Sequence, residues 1–445
     1  MTSSTEAEGS TPRWSAPAGE IVGVADGDVL RARGIRYARA GRFERPTPEP
    51  SVPLVDATRK APACPQPPME FTERVLGVTR GELGHDEDCQ RLSVTVPASA
   101  TAGAALPVMV MIHGGSYTSG AGDLAIYDPA RLVTEQQVVV VTVTYRLGLL
   151  GYLGDGASRP ANLGLLDQIE ALRWVRTNIA AFGGDPDAVT VFGQSAGGDA
   201  TAHLMIAKGA EGLFHRAIIQ SPPIGVMPGR SEMAARMMQA AEAVTAEAHI
   251  DEVLAAQPGV EPPFAKYGLR AGMPFGVQYG HDPLPAEADL DAAWSEAAGR
   301  VEVLIGSTDR EAAFFVAKAA GGLMSRRWAA PFVRRLVTRL TDRIYGRGVL
   351  AFADRHHHAG GRGQRYLIRW GAPGNPLAGA HTVELPLLFG HPETWAGAEI
   401  VDGADARDLD RSGRRLREIW AAFARSGSVG VVSEPGLIEV RDLPV

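Results

Sequence analysis

Gly193, Ser195 and Gly197, in VFGQSAGG, form the sequence's single G-x-S-x-G pattern, and a serine in that setting can serve as an acylated nucleophile. Context gives the pattern its weight. An apolar run, AVTVFG (188–193), reads as a strand before the serine, and 196–208 reads as a helix after it. A sharp turn between the two lifts the hydroxyl out of the sheet, and small residues two positions away on either side let neighbouring backbone pass close. A helix that begins at Ala196 also directs its free N–H groups at the same spot. A serine hydroxyl is a weak nucleophile at neutral pH, so it needs a base and an acid that orients the base. On this architecture both follow in the chain, in the order Ser, then Asp or Glu, then His, each at the end of a later strand.

Those partners require a sheet to carry them. From about Glu20 onward, short apolar β-rich runs alternate with longer stretches of helical period, which predicts an α/β fold with a mostly parallel sheet covered by helices. Segments 106–113, 137–145, 216–221, 301–307 and 364–370 join 188–193 as strand candidates. In 162–182, Leu165, Ile169, Leu172, Val175, Ile179 and Phe182 recur at steps of three or four, one helical stripe stopped by Gly183 and Gly184. Residues 1–18 are expected to be a disordered tail and 19–445 one catalytic domain. Residues 222–295 and 316–362 break the strand rhythm and are expected to be helical insertions that roof the site.

Composition closes off other functions. Hydrophobic residues make up 45% of the 445, while Gly (52) and Pro (31) stay below the disorder range, so a large core is available. A net charge of −7 argues against a nucleic-acid partner. Apolar runs are strand-sized, too short to span a membrane. The N-terminus lacks a basic start followed by an apolar core, so no secretory signal is visible and a cytoplasmic location is expected. The run His356, His357, His358 has no spaced Cys, Asp or Glu around it and reads as exposed loop, with no metal site.

Several stretches together resemble the type-B carboxylesterase family, the α/β-hydrolase group that includes cholinesterases and bacterial p-nitrobenzyl esterases. They include DEDCQRLSV (86–94), VMVMIHGGSYTSG (108–120), the long block NLGLLDQIEALRWVRTNIAAFGGDPDAVTVFGQSAGG (162–198), LIGSTDREAAFF (304–315) and GAHTVELPLLFG (379–390). The resemblance covers roughly residues 20 to 430.

It implies Ser195 as the nucleophile, Glu311 as the acid and His381 as the base. Asp309 is the competing acid, because the family's usual Asp-Glu-Gly is replaced here by Arg310-Glu311-Ala312. The loop HGGSY implies an oxyanion hole from the N–H groups of Gly115 and Ser116, joined by that of Ala196. Cys64 and Cys89 fall where the family places its first disulfide, with two reduced, buried thiols as the alternative in a reducing compartment, and Arg42 and Glu87 where relatives form a buried ion pair. Residues 65–88 contain a single aromatic, Phe71, so choline specificity is not implied. Substrate selectivity is expected in 231–256 and 324–346.

The resemblance thus implies hydrolysis of a small-molecule carboxylic ester through an acyl-enzyme, with no cofactor and with activity falling as His381 protonates. Two alternatives share the sequence: an acyltransferase or lactone-forming enzyme that uses the same triad, and a non-catalytic binding protein. The second is opposed by all three triad positions being filled.

Overall fold

A computed structural model describes residues 11–79, 81–320, 322 and 328–443 of the chain. Its centre is an eleven-stranded sheet. In chain order the strands are β1 (Val24–Asp26), β2 (Val29–Arg36), β3 (Arg91–Pro97), β4 (Leu106–Ile112), β5 (Val139–Thr144), β6 (Gly184–Gln194), β7 (Arg216–Gln220), β8 (Glu302–Thr308), β9 (Gly363–Ile368), β10 (Val432–Glu434) and β11 (Ile438–Asp442). Across the sheet they run β10-β11-β9-β8-β7-β6-β4-β5-β3-β2-β1.

The six strands from β5 to β9 are parallel neighbours, and every strand beyond them pairs antiparallel. The parallel block is therefore the middle of a mixed sheet. Its strands read as unbroken apolar runs because both faces are covered: Val139, Val141 and Val143 enter one core while Val138 and Val140 enter the other. The antiparallel edges are short or partly exposed, which removes the apolar signature that marks the middle.

The helices that position the site are α1 (Glu70–Leu76), α2 (Leu163–Asn178), α3 (Ala196–Leu204), α4 (Ala312–Ala320), α5 (Ala330–Thr341), α6 (Arg347–His358) and α7 (Ala406–Ser426). The stripe Leu165, Ile169, Leu172 and Val175 of α2 packs into one core, and Leu416, Ile419, Trp420 and Phe423 of α7 into the other. After α2 the stripe continues through a 3₁₀ turn, Ile179–Phe182, that ends at Gly183 with φ 82°.

Two expectations are corrected, and two are refined. The tail does not reach residue 18: Arg13–Ala16 is a strand paired with Gly19–Val22, held by Trp14, whose ring centroid lies 4.9 Å from that of Phe182. Residues 1–10 lie outside the described residues. The histidine run is the last turn of α6, not a loop, and His356 is buried with Nε2 3.1 Å from the Arg362 carbonyl.

Arg42 and Glu87 do pair, Nε donating to Oε2 at 2.8 Å, but Glu87 is 34% exposed. Arg146 and Asp167, 4% and 0% exposed, form a more enclosed pair, at 2.7 and 2.8 Å. Cys64 and Cys89 are free buried thiols, not a bridge. Cys64 accepts from the Leu147 N–H at 3.3 Å, and its hydrogen bond to Cys89, with burial, pushes the Cys89 thiol up. Among the described residues no helix is long and apolar enough to cross a membrane.

Candidate active site

The turn between β6 and α3 places Ser195 at φ 59° and ψ −123°, a conformation that residues with a side chain adopt only under constraint. The constraint is visible on both sides. The Ser195 N–H donates to Gln220 O at 2.9 Å on the neighbouring strand, and its carbonyl accepts from Asp199 N at 2.9 Å. A Cβ on Gly197 would stand 2.0 Å from Ile112 O, and one on Gly193 would stand 2.5 Å from the Gly197 backbone. The glycines of the G-x-S-x-G pattern are thus required by the packing of β4 against the start of α3.

Strand β8 ends at Thr308, and the chain folds back at once, so that the Thr308 N–H donates to Glu311 Oε1 at 2.7 Å. The other oxygen, Oε2, lies 2.5 Å from His381 Nδ1, and the backbone N–H of His381 donates to the Glu311 backbone carbonyl at 3.3 Å. A charged carboxylate only accepts, so Nδ1 carries the proton and Nε2 keeps its lone pair. Asp309 is exposed, with its carboxyl beside Gly379 rather than the imidazole. The ring of His381 is walled by Phe315 and Tyr345, centroids at 5.3 and 5.2 Å. Such dry surroundings strengthen the Glu311 contact.

The Gln194 amide nitrogen lies 3.2 Å from Nε2 and 3.5 Å from Nδ1 of the same ring. A donor on the Nε2 lone pair would be far more distant from Nδ1, so Gln194 stands over the ring face and leaves that lone pair open. Ser195 borders the same cavity as His381, and among the described residues its hydroxyl makes no hydrogen bond. At the facing loop, Gly115 has φ 115° and Ser116 φ 57°. The N–H groups of Gly115, Ser116 and Ala196 are likewise free of any protein acceptor among the described residues.

A residue not singled out in the sequence completes the buried shell. Glu384, three positions after His381, is fully enclosed, with Ser221 Oγ 3.4 Å from Oε1. Burial and the charge of Glu311 push its carboxyl up to about 8, so it stays protonated at neutral pH. Only its place in the HTVEL stretch hinted at a role. His113 is also held neutral, pushed down to about 4 by burial, with Nδ1 2.8 Å from Gly114 O and its ring stacked 4.3 Å from that of Tyr145.

A cavity of about 260 Å³ opens onto Ser195 and His381. Its apolar wall includes Pro67, Met69 and Leu76 from the 63–85 excursion, together with Ile126 and Phe315. That excursion is closed at its neck, where Ala63 N donates to Gly84 O and Asp86 N to Ala63 O, both at 3.0 Å. None of the described lining residues comes from 222–295 or 316–362. Residues 321 and 323–327 of the second expected insertion lie outside the described residues, and among the described ones the insertions approach the site at Tyr345, against the His381 ring, while α1 and its flanks line the cavity.

Comparison with known proteins identifies the family. Residues 12–327 match the Carboxylesterase family. The chain is 38% identical, over 93% of both chains, to a probable N-octanoylanthranilate hydrolase of Rhodococcus erythropolis. It is 33% identical to the para-nitrobenzyl esterase of Bacillus subtilis strain 168, covering 92% of this chain and 89% of that one. A solved thermophilic PNB esterase superposes with a TM-score of 0.81 at 29% identity, covering 98% of each chain. The sheet, the strained serine turn and these matches lead to one conclusion: the chain belongs to the carboxylesterase family and is a serine hydrolase of carboxylic esters.

Proposed function

We propose that Ser195, His381 and Glu311 perform the hydrolysis, with the Gly115, Ser116 and Ala196 N–H groups receiving the oxyanion. The observation that carries this reading is the 2.5 Å contact of Glu311 with His381 at a cavity that Ser195 also borders. As substrate enters, the unengaged hydroxyl closes onto Nε2, gives up its proton and attacks the carbonyl carbon. Glu311 holds the imidazolium that forms, and the three N–H groups take the charge on the carbonyl oxygen. Collapse expels the alcohol, protonated by His381. Water, deprotonated by the same Nε2, then releases the acid and restores Ser195.

The apolar cavity supports a neutral acyl or alcohol group as its occupant. The Rhodococcus relative is named for N-octanoylanthranilate, and an octanoyl chain suits such a wall. That name also supports a second reading, in which an N-acyl amide takes the ester's place. The test is fluorophosphonate labelling with peptide mapping, followed by comparison of p-nitrophenyl acetate, p-nitrophenyl octanoate and N-octanoylanthranilate. The label belongs on Ser195, with Ser195→Ala losing turnover by several orders of magnitude. A Ser195→Ala variant with near-wild-type turnover refutes the assignment, and the substrate with the highest kcat/KM decides between ester and amide.

A further inference from the structure

We propose that Tyr117 and Asp199 are a positioning pair for the oxyanion hole, fixing the Ser116 N–H where the carbonyl oxygen becomes charged. The inference rests on the reading of Gly115, Ser116 and Ala196 as the oxyanion donors. Ser116 and Tyr117 are consecutive non-glycine residues in the left-handed region, at φ 57° and 59°. Residues with side chains hold that conformation only where the surroundings over-determine it. Here the fixing falls on Tyr117. Its ring is fully buried 4.2 Å from the ring of Tyr152, and its carbonyl accepts from Gly148 N at 2.7 Å. Its hydroxyl donates to Asp199 Oδ2 at 2.7 Å.

Asp199 sits in the first turn of α3, four residues after Ser195 and three after Ala196. The tyrosine therefore ties the loop half of the hole to the helix half, and the two sets of donors move as one. The bond is also the carboxyl's principal anchor: among the described residues Oδ1 has no partner, and His203 Nδ1 stands 3.5 Å from Oδ2. Neither side chain is among the described residues that line the cavity. Their action is through the backbone of Ser116, and it matters when the oxyanion forms rather than when substrate binds.

The test compares Tyr117→Phe, Asp199→Ala and Asp199→Asn with wild type, reading kcat and KM on p-nitrophenyl butyrate, affinity for a trifluoromethyl ketone, and Tm. In the first two variants kcat falls about 10- to 100-fold with KM within about twofold, and ketone affinity falls by a similar factor. Asp199→Asn keeps an acceptor oxygen and recovers most of the loss. Should a single variant fail to fold, Tyr117→Phe/Asp199→Ala removes donor and acceptor together and carries the same kcat test. Folded variants with wild-type kcat and ketone affinity overturn the pair, as does a loss confined to KM. An active Ser195→Ala overturns the site reading and the pair with it, whereas an inactive Ser195→Ala beside fully active pair variants overturns the pair alone.

Discussion

At the scale of single residues, the two acidic candidates near the end of β8 separate cleanly. Glu311 is enclosed and bonded to the imidazole, while Asp309 faces outward. Glu311→Gln removes the acceptor that holds Nδ1–H and should lower kcat by about 100-fold or more, whereas Asp309→Asn should stay within a few fold. Steady-state kinetics on one p-nitrophenyl ester decides the matter, and the opposite ranking would transfer the role to Asp309. Glu384 makes a prediction about stability. Its folded value, about 8, lies above that of a carboxyl in an unfolded chain, about 4.3. Between those values the folded chain holds a proton that the unfolded chain has released. Stability is thus fully present below the window and falls as pH rises through it, by up to about 1.4 kcal/mol per unit. Glu384→Gln should flatten that decline, so urea midpoints of variant and wild type diverge with rising pH. Parallel curves would show that the carboxyl does not titrate there.

At the scale of elements, the strand-turn-helix around Ser195 was legible because each part announces itself locally: a Val-rich run, two glycines, then a helical segment. The packing makes the glycines testable. Gly197→Ala places a Cβ 2.0 Å from Ile112 O, inside the contact of β4 with α3. A destabilisation of about 2 to 3 kcal/mol, together with loss of activity, is expected from urea unfolding and esterase assay. Near-wild-type values would mean that the elbow yields easily. Other elements were not legible. Arg13–Ala16 is a strand because Trp14 meets Phe182, a partner far along the chain. His356 is buried because α6 packs its last turn inward, and nothing in a run of three histidines announces that. The 63–85 excursion reads as loop, and only its closed neck turns it into a wall.

Across the whole molecule, ion pairs differ in value by how completely water is excluded. Arg146 links α2, through Asp167, to the N-terminal region, through the Glu44 carbonyl at 2.7 Å. Arg146→Ala strands the Asp167 charge in the interior and should cost about 3 to 5 kcal/mol. Arg42→Ala, whose partner Glu87 is a third exposed, should cost about 1 kcal/mol or less. Denaturant midpoints measured side by side test the ranking, and equal losses would contradict it. The resemblance named Arg42 and Glu87, which do pair, but their partial exposure was not legible, because exposure belongs to the folded surface and leaves no mark on two distant charged letters.

The neck at Ala63 and Asp86 carries one more implication. Because both ends of the excursion are pinned to each other, its interior can change length or lettering with only a slowly growing entropic penalty. Replacing the described residues of 66–79 and 81–83 would then reshape the apolar wall while leaving the Glu311–His381 contact in place.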